Sequence, residues 1–514
     1  MSKKLIGRSA LVGVGTLCSR ILGLARDIII LNVFGASVST DAFFAAFKIP
    51  NFFRRIFAEG AFSQAFMPVF TQAQQNSKQE ARILFQAVLA KLLTIVGLLC
   101  LIVILFTPVF SMIFGIGWFL DRENSPRYDA MTQLLRITFP FLWFITFVSL
   151  ASSVLNSYDK FFAPAFAPVL LNVSFIVAAL FVADKFDFST VVLAWAVVAA
   201  GLLQCLYLLW ELKKIGMLVW PSFKQKHEGT AEILKLMIPG MFAVSITQLN
   251  LLIDSGIATL FKEGHVVTWL YYGLRLSELP LGIIGIAIAT VILPVLSRQF
   301  IKKDNEAFEQ TIIWALRMVI FVGLPAMAAL IYLSVPLLST LFLHGKTTVV
   351  DILASSGALM AYACALPAFM IIKVLVPAFF ARKDTKTPVK IGVVAVGVNI
   401  VANIIAAWMF GFVGLAIATA ISAWCHAVLL VIIMINKGMI SFKIPEILNW
   451  MRAIIAAVLM MLVLYFVDKP QSWWLESADI ARMMQLLLLV FVGVSIYAIS
   501  LIILGVRFRH LKSS

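Results

Sequence analysis

Between Ala10 and Leu504 the chain keeps returning to apolar stretches of about 20 residues, the length an α-helix needs to cross a bilayer. They fall near 10–33, 40–66, 88–114, 133–156, 164–183, 189–211, 233–261, 266–296, 311–334, 353–381, 389–410, 413–436, 453–468 and 483–505, separated by short polar loops. This pattern predicts an all-α polytopic membrane protein with fourteen transmembrane helices. Composition agrees: 62% of residues are hydrophobic, 13% are charged and the mean hydropathy is +1.01. A soluble domain has about half apolar and about a quarter charged residues. The opening MSKKLIGRSALVG has the basic-then-apolar order of a secretory leader. Arg20 and Arg26 interrupt its apolar run and no small-residue cleavage site follows, so it reads as a retained first span.

The net charge of +16 does not point to nucleic acid, because the basic residues collect in alternate loops. With the N-terminus inside, one set of segments holds Lys3, Lys4, Arg8, Lys78, Arg82, Lys160, Lys213, Lys214, Lys224, Lys226, Arg298, Lys302, Lys303, Arg382, Lys383, Lys386, Lys437, Lys443, Arg507 and Arg509. The opposite loops hold only Arg122, Arg127, Lys185, Lys262, Lys346, Lys469 and Arg482. That bias places both termini in the cytoplasm. The five cysteines stand singly in apolar segments, as small packing residues do. The five histidines are equally scattered, so no metal site is expected.

The two halves of the chain resemble one another. TDAFFAAFKIPNFF from Thr40 parallels TWLYYGLRLSELPL from Thr268, with Lys48 opposite Arg275 and Pro68 opposite Pro294. NSYDKFFAP around Asp159 parallels ARKDTKTP around Asp384, and the segment from Leu193 to Met217 parallels that from Leu415 to Met439. The offset stays at about 222–228 residues. Six helices per half, in the same orientation, make parallel repeats. The expected organisation is a six-helix bundle over 1–217, a second over 233–439, and two further helices in 450–514. Pseudo-symmetric bundles around a central cavity suggest a transporter.

Two of the spans carry charges that a bilayer disfavours. Arg20, Arg26 and Asp27 interrupt the first; Asp41, Lys48, Arg54, Arg55 and Glu59 interrupt the second. Each ionised group at a span's centre costs roughly 2.5–3.5 kcal/mol on insertion scales. They are tolerable if they face water, pair with one another or bind a charged ligand. At about 100° per residue, Asp41, Lys48, Asn51, Arg55, Glu59 and Ser63 share about a third of the helix circumference. Arg54 points away from Arg55. On the eighth span Thr268, Tyr272, Arg275 and Glu278 share a face. Internal pairing as Arg55–Glu59, Arg275–Glu278 and Arg20–Asp27 is the bland alternative. Yet Arg20, Arg26, Lys48, Arg54, Arg55 and Arg275 outnumber Asp27, Asp41, Glu59 and Glu278, and an excess of positive charge calls for an anion. Guanidinium forks suit phosphate in particular.

In these residues the chain resembles a known family. SRILGLARD, TDAFF.AFK.PN..RR.FAEGAFS.AF.P, WLYY..RL.E.P.G and RKDTKTPVK are similar to the motifs of the MurJ/MviN lipid II flippases, within the multidrug/oligosaccharidyl-lipid/polysaccharide exporter superfamily. The resemblance runs over essentially the whole chain. It implies a central cationic cavity shared by helices 1, 2, 7 and 8, with helices 13 and 14 forming a lipid-facing groove. It also implies that Arg20, Arg26 and Arg275 are essential cavity arginines and that Asp41 is a functional acid. Asp27, Lys48, Asn51, Arg54 and Glu278 match the motifs as well, whereas Leu274 stands where some relatives have an acid. The implied cargo is undecaprenyl-diphosphate carrying a disaccharide-pentapeptide, moved from the cytoplasmic to the periplasmic leaflet of the bacterial inner membrane by alternating access. Partners would be lipid II, membrane lipids and the peptidoglycan synthesis machinery. No reaction is expected, no P-loop is present and no cofactor is implied.

For energy coupling, Asp254 in the seventh span, Asn399 and Asn403 in the eleventh and Thr419 in the twelfth could hold Na⁺, or Asp254 a proton. Interhelical hydrogen bonding is an equal reading for the asparagines. Membrane potential acting on the cationic interior, worth about 2.3 kcal/mol per charge per 100 mV, is a third route. Two other functions stay open at this stage. An O-antigen-type flippase or cation-coupled drug exporter would share the fold, although drug cargo is mostly cationic. A polyprenyl-phosphate glycosyltransferase or phosphatase would need clustered carboxylates, for which Asp184 and Asp187 are the nearest match.

Overall fold

The computed structural model describes residues 3–57, 61–121, 126–187, 189–225, 227–262, 264–282, 286–442 and 444–506. Apolar side chains along nearly every segment leave the backbone to satisfy itself within helices, and no strand occurs among the described residues. The chain divides into two compact units, Met1–Val267 and Thr268–Ser514.

The first unit contains α1 (Lys3–Phe34), α2 (Val38–Phe57), α3 (Ala61–Asn76), α4 (Lys78–Leu105), α5 (Thr107–Phe114), α6 (Ile116–Leu120), α7 (Arg127–Thr138), α8 (Phe141–Ser157), α9 (Phe162–Val177), α10 (Val191–Lys214) and α11 (Glu228–Ala258). Here α1 packs on α9, α2 on α7 and α11, and α3 on α4, α8 and α11. The second unit takes in nearly all of α12 (Val266–Pro280), then α13 (Ile286–Ile301), α14 (Asn305–Tyr332), α15 (Ser334–Phe342), α16 (Val349–Ala381), α17 (Lys386–Phe410), α18 (Val413–Asn436), α19 (Ile444–Val467), α20 (Gln471–Glu476) and α21 (Asp479–Ile503). In it α16 packs on α13, α14 and α18, while α19 and α21 pair with each other beside α14 and α15. Arg317 of α14 grips Glu446 of α19 through two hydrogen bonds, and the Tyr497 hydroxyl of α21 donates to the Phe321 carbonyl at 2.8 Å.

All fourteen expected spans fall on helices, and the protein is an all-α polytopic membrane protein. Ten helical stretches among the described residues are long and apolar enough to cross a bilayer: α4, α7 with α8, α9 with its extension, α10, α14, α16, α17, α18, α19 and α21. The other four spans correspond to α1, to α2 with α3, to α11, and to α12 with α13. Within 40–66 and 266–296 the described residues are helical, as α2 and α3 and as α12 and α13, and residues 58–60 and 283–285 lie outside the described ones. The 88–114 stretch stops at Leu105 and restarts as α5 with Pro108 in its first turn. Pro108 suits that break, since it lacks an N–H and its ring crowds the preceding turn, while the first turn of a new helix accommodates it.

Local backbone devices recur at the spacing of the sequence repeat. Asp159 (φ 62) after α8 matches Lys383 (φ 61) after α16 in adopting the left-handed conformation. The following N–H closes the same turn in each: Lys160 to the Leu155 carbonyl at 2.9 Å, Asp384 to Phe379 at 3.0 Å. Asp187 (φ 49) ends the α9 extension as Gly411 (φ 60) ends α17, and Gly216 (φ 70) follows α10 as Gly438 (φ 62) follows α18. Ser77 caps α4 and Asp304 caps α14 at matching positions, each accepting from a first-turn N–H at 3.0 Å. The sequence pairing of Asp159 with Asp384 shifts by one: the turn geometry sets Asp159 against Lys383 and Lys160 against Asp384.

Candidate functional site

On α1 the arginines Arg20 and Arg26 live in different surroundings. Arg26 donates from Nε and Nη2 to Asp27 Oδ1 at 2.8 and 2.6 Å, and from Nη1 to Asn172 Oδ1 of α9 at 3.2 Å. Its guanidinium lies 5.3 Å from the centroid of the Phe175 ring. Asn172 in turn donates to the Ser19 carbonyl at 3.0 Å, so one amide holds both the α1 backbone and the Arg26 side chain. Arg26 is 8% exposed and Asp27 1%, and two charges so deeply buried persist because each compensates the other. Arg20 is half-buried and makes no hydrogen bond or ion pair among the described residues. Asp27 is therefore engaged with Arg26, its chain neighbour, and not with Arg20 a turn or two away.

The polar face of α2 meets α11. Lys48 Nζ donates to Ser255 Oγ at 3.3 Å, and the carboxylates whose charge acts on it are Asp254 and Asp41. Arg55 Nη1 donates to Gln248 Oε1. Asn51 Oδ1 accepts from Arg54 Nε at 3.1 Å, an i, i+3 bond within α2. Glu59 lies outside the described residues. Lys48 and Arg55 are seven residues apart, so one helix face delivers both to α11.

Asp41 sits in the first turn of α2, where the helix dipole favours an anion. It is 2% exposed, with Arg127 Nε at 3.6 Å and His265 Nδ1 at 3.7 Å. Arg127 also donates to the Gly264 carbonyl at 2.8 Å, and Lys262 pairs with Asp121 at 3.2 Å. The segment after α11 is thus tied to the starts of α2 and α7. Gly117 is needed here: a Cβ on it would stand 2.1 Å from the Thr259 carbonyl oxygen.

In the second unit, Thr268 is fully buried and Tyr272 packs against Phe342 with ring centroids 5.0 Å apart. Trp269 Nε1 donates to Asp351 Oδ1 at 2.8 Å, and a Cβ on Gly273 would meet the Leu359 N at 2.9 Å. These contacts press α12 onto α15 and α16. Arg275 and Glu278, further along, pair at 3.5 Å with about a third of each side chain exposed. The face predicted to run from Thr268 to Glu278 is accordingly closed at its first half and open at its second. Asn399 and Asn403 are fully buried, with Asn403 Nδ2 donating to Asn399 Oδ1 at 3.2 Å. Thr419 donates to the Leu415 carbonyl of its own helix at 3.0 Å. Asp254 is 6% exposed and belongs to the first unit.

Asn172, Phe175, Gln248, Ser255, Arg127 and His265 escape a reading of the sequence. They are ordinary residues in apolar spans or polar loops, and only tertiary packing makes them partners of the charges.

A polytopic all-α bundle that carries charged side chains within its spans has the build of a membrane transporter. The chain belongs to the lipid II flippase MurJ family, whose pattern it matches over residues 30–478. It is 42% identical to a "Probable lipid II flippase MurJ" of Vibrio cholerae over 100% of this chain and 99% of that one. Against the "Lipid II flippase MurJ" of Burkholderia cenocepacia it is 38% identical, covering 82% of each. A solved structure of a lipid II flippase MurJ in an inward closed conformation superposes with a TM-score of 0.79 at 26% identity, covering 96% of this chain and 98% of that one. An inward-facing multidrug resistance MATE family transporter of the MOP superfamily shares the fold at a TM-score of 0.64 and 15% identity, covering 82% and 95%.

Proposed function

We infer that this protein flips lipid II across the bacterial inner membrane, in which it is a multi-pass protein. The observation that carries the reading is full-length similarity to lipid II flippases, joined to an interior with more fixed positive than negative charge. Lipid II has three physical demands. Its diphosphate needs cations, its sugar-peptide headgroup needs a polar passage, and its isoprenoid tail stays in lipid.

In this account the side chains divide by environment. Arg20 is the cation with capacity to spare, and it takes the diphosphate. Arg275, about a third exposed and paired with Glu278 at 3.5 Å, exchanges that carboxylate for a phosphate oxygen. Arg26 with Asp27 sets the α1–α9 contact that holds Arg20 in place. Lys48, Asn51, Arg54 and Arg55 give α2 its positive face. The Asp41, Arg127 and His265 group closes the opposite end, which the loop-charge bias assigns to the periplasm, with both termini in the cytoplasm. Rearrangement of the two repeats by alternating access presents the headgroup first to one side and then to the other. The transported lipid leaves chemically unchanged, and no cofactor takes part. Coupling falls to a proton at Asp254, to Na⁺ on oxygens such as those of Asp254, Asn399, Asn403 or Thr419, each taken within its own unit, or to the membrane potential. The cell-wall synthesis machinery supplies and consumes the cargo.

Reconstituted flipping of fluorescent lipid II tests this reading. Wild-type protein moves the lipid across proteoliposome leaflets, and Arg275→Ala stops it without preventing membrane insertion. Normal flipping by Arg275→Ala would refute the role assigned to that residue. Clamping Na⁺, pH and potential one at a time identifies the driving gradient.

A further inference from the structure

Away from the charged helices, the second unit holds a polar cavity of about 430 Å³ where α14 ends and α19 gives way to α20. Tyr332, Tyr465, Asp468, Lys469, Gln471 and Trp474 line it. Asp468 Oδ1 accepts from Trp474 Nε1 at 2.9 Å and from the Lys469 backbone N–H at 2.7 Å, and Tyr332 lines the cavity near enough to feel the same carboxylate's charge. The acid is therefore held in one orientation at the cavity wall. The Lys469 side chain beside it is exposed and makes no hydrogen bond or ion pair among the described residues. A fixed anion and a free cation on consecutive residues form a dipole of matched charges.

What lies next to the cavity selects the kind of ligand. Ile455, Val458, Leu462 and Phe466 of α19 are 44%, 51%, 52% and 81% exposed and recur at three- and four-residue intervals. That spacing draws them into one apolar strip along the helix, running up to the cavity. A water-soluble sugar or peptide gains nothing from such a strip, whereas acyl chains cover it. Tyr465 and the buried Trp474 place aromatic rings at the junction, where polar headgroup meets hydrocarbon.

We propose that this cavity binds the headgroup of a zwitterionic aminophospholipid of the phosphoethanolamine class. The ammonium sits on Asp468 among the tyrosine rings, the phosphate sits on Lys469, and the acyl chains lie on the α19 strip. A primary ammonium carries three N–H donors for the carboxylate and nearby hydroxyl oxygens. A trimethylated headgroup has none, and a glycerol headgroup has no cation at all. The site shares no lining residue with the cargo-handling charges, and it stands whether or not the flippase reading does.

The test uses the purified full chain in detergent, titrated with dihexanoyl phosphatidylethanolamine, phosphatidylcholine and phosphatidylglycerol. Thermal midpoint and native mass spectrometry of retained lipid are read together. The ethanolamine lipid binds saturably, and the other two bind at least about tenfold more weakly. Lys469→Ala changes an exposed side chain and keeps the fold, while Asp468→Asn keeps the oxygen that accepts from Trp474. Each weakens the ethanolamine lipid by about tenfold, as loss of a charge-assisted hydrogen bond does. Equal binding of the three lipids overturns the proposal, as does unchanged ethanolamine binding by folded Lys469→Ala.

Discussion

Helices α9 and α17 lie one repeat spacing apart along the chain and are entered by the same turn, yet they do different physical work. Each is entered through a left-handed residue, Asp159 or Lys383, and each run is left through a residue of positive φ, Asp187 or Gly411. At the repeat spacing Phe175 of α9 corresponds to Asn399 of α17. In α9 that position offers a ring to the Arg26 guanidinium, one turn from the Asn172 amide that also holds it. In α17 it carries an amide that accepts from Asn403, and α18 joins through the Ser422 hydroxyl on the Ala395 carbonyl at 2.7 Å. The α9 run also widens into a π turn over Ala178–Val182, whereas α17 continues as regular helix to Phe410. Turns and caps are backbone requirements that both copies must meet. Interior side chains carry no such obligation, so one copy supports a charge while the other supports a neutral amide pair.

The largest expected effect is at Arg26. Arg26→Ala removes the guanidinium from a carboxylate that is 1% exposed, and breaking a buried pair costs about 3–5 kcal/mol. The thermal midpoint should fall, flipping should stop, and adding Asp27→Asn should restore part of the midpoint. A wild-type midpoint in the single variant would remove the structural role given to this pair. Next comes Asn172→Ala, which takes away a hydrogen bond to a charged group and one to the Ser19 carbonyl, for about 1.5–3 kcal/mol. Its partner experiment is Asn399→Val, where only a neutral bond is lost, for about 1 kcal/mol. If the two cost the same in denaturation midpoints, the difference drawn between α9 and α17 fails.

The smallest effect lies in the loops that lead into these helices. Asp384, in the loop before α17, is pushed up by partial burial but more than offset by hydrogen bonds from Lys437 and Thr387, so its carboxyl falls to about 2. Its folded value is thus below the unfolded one of about 4. The stabilisation it gives is complete above about pH 4 and disappears as pH falls through about 2. Lys437 is 45% exposed, which limits the pair to under about 1 kcal/mol. Lys437→Met should flatten the thermal midpoint's dependence on acid in that window. The matching loop before α9 has Lys160 in place of Asp384, so Lys160→Met should leave the acid profile alone.

Much of the fold can be read from the chain because a bilayer imposes a strict rule of about 20 apolar residues per span. Helix phase likewise places Lys48 and Arg55 on one face of α2, and both reach α11. The pairing of helices is a different kind of fact. The repeat makes α11 the first helix of the second copy, while packing sets it in the first unit against α2 and α3. Similarity in sequence records descent, and packing records which side chains meet. The partners Gln248 and Ser255 have no pattern that announces them. Arg20 and Arg26 look alike along the chain, both being arginines in one apolar run. Only the approach of Asn172 and Phe175 from α9 separates the engaged guanidinium from the one with donors to spare.

That separation is the centre of the account, and lipid II binding by the purified protein tests it most directly. Arg20→Ala and wild type are compared for lipid II affinity and thermal midpoint under the same conditions. The account predicts that Arg20→Ala keeps the wild-type midpoint and binds lipid II at least about tenfold more weakly, the price of one phosphate–guanidinium contact. Wild-type affinity in Arg20→Ala, with the protein folded, would contradict the assignment of this arginine to the cargo.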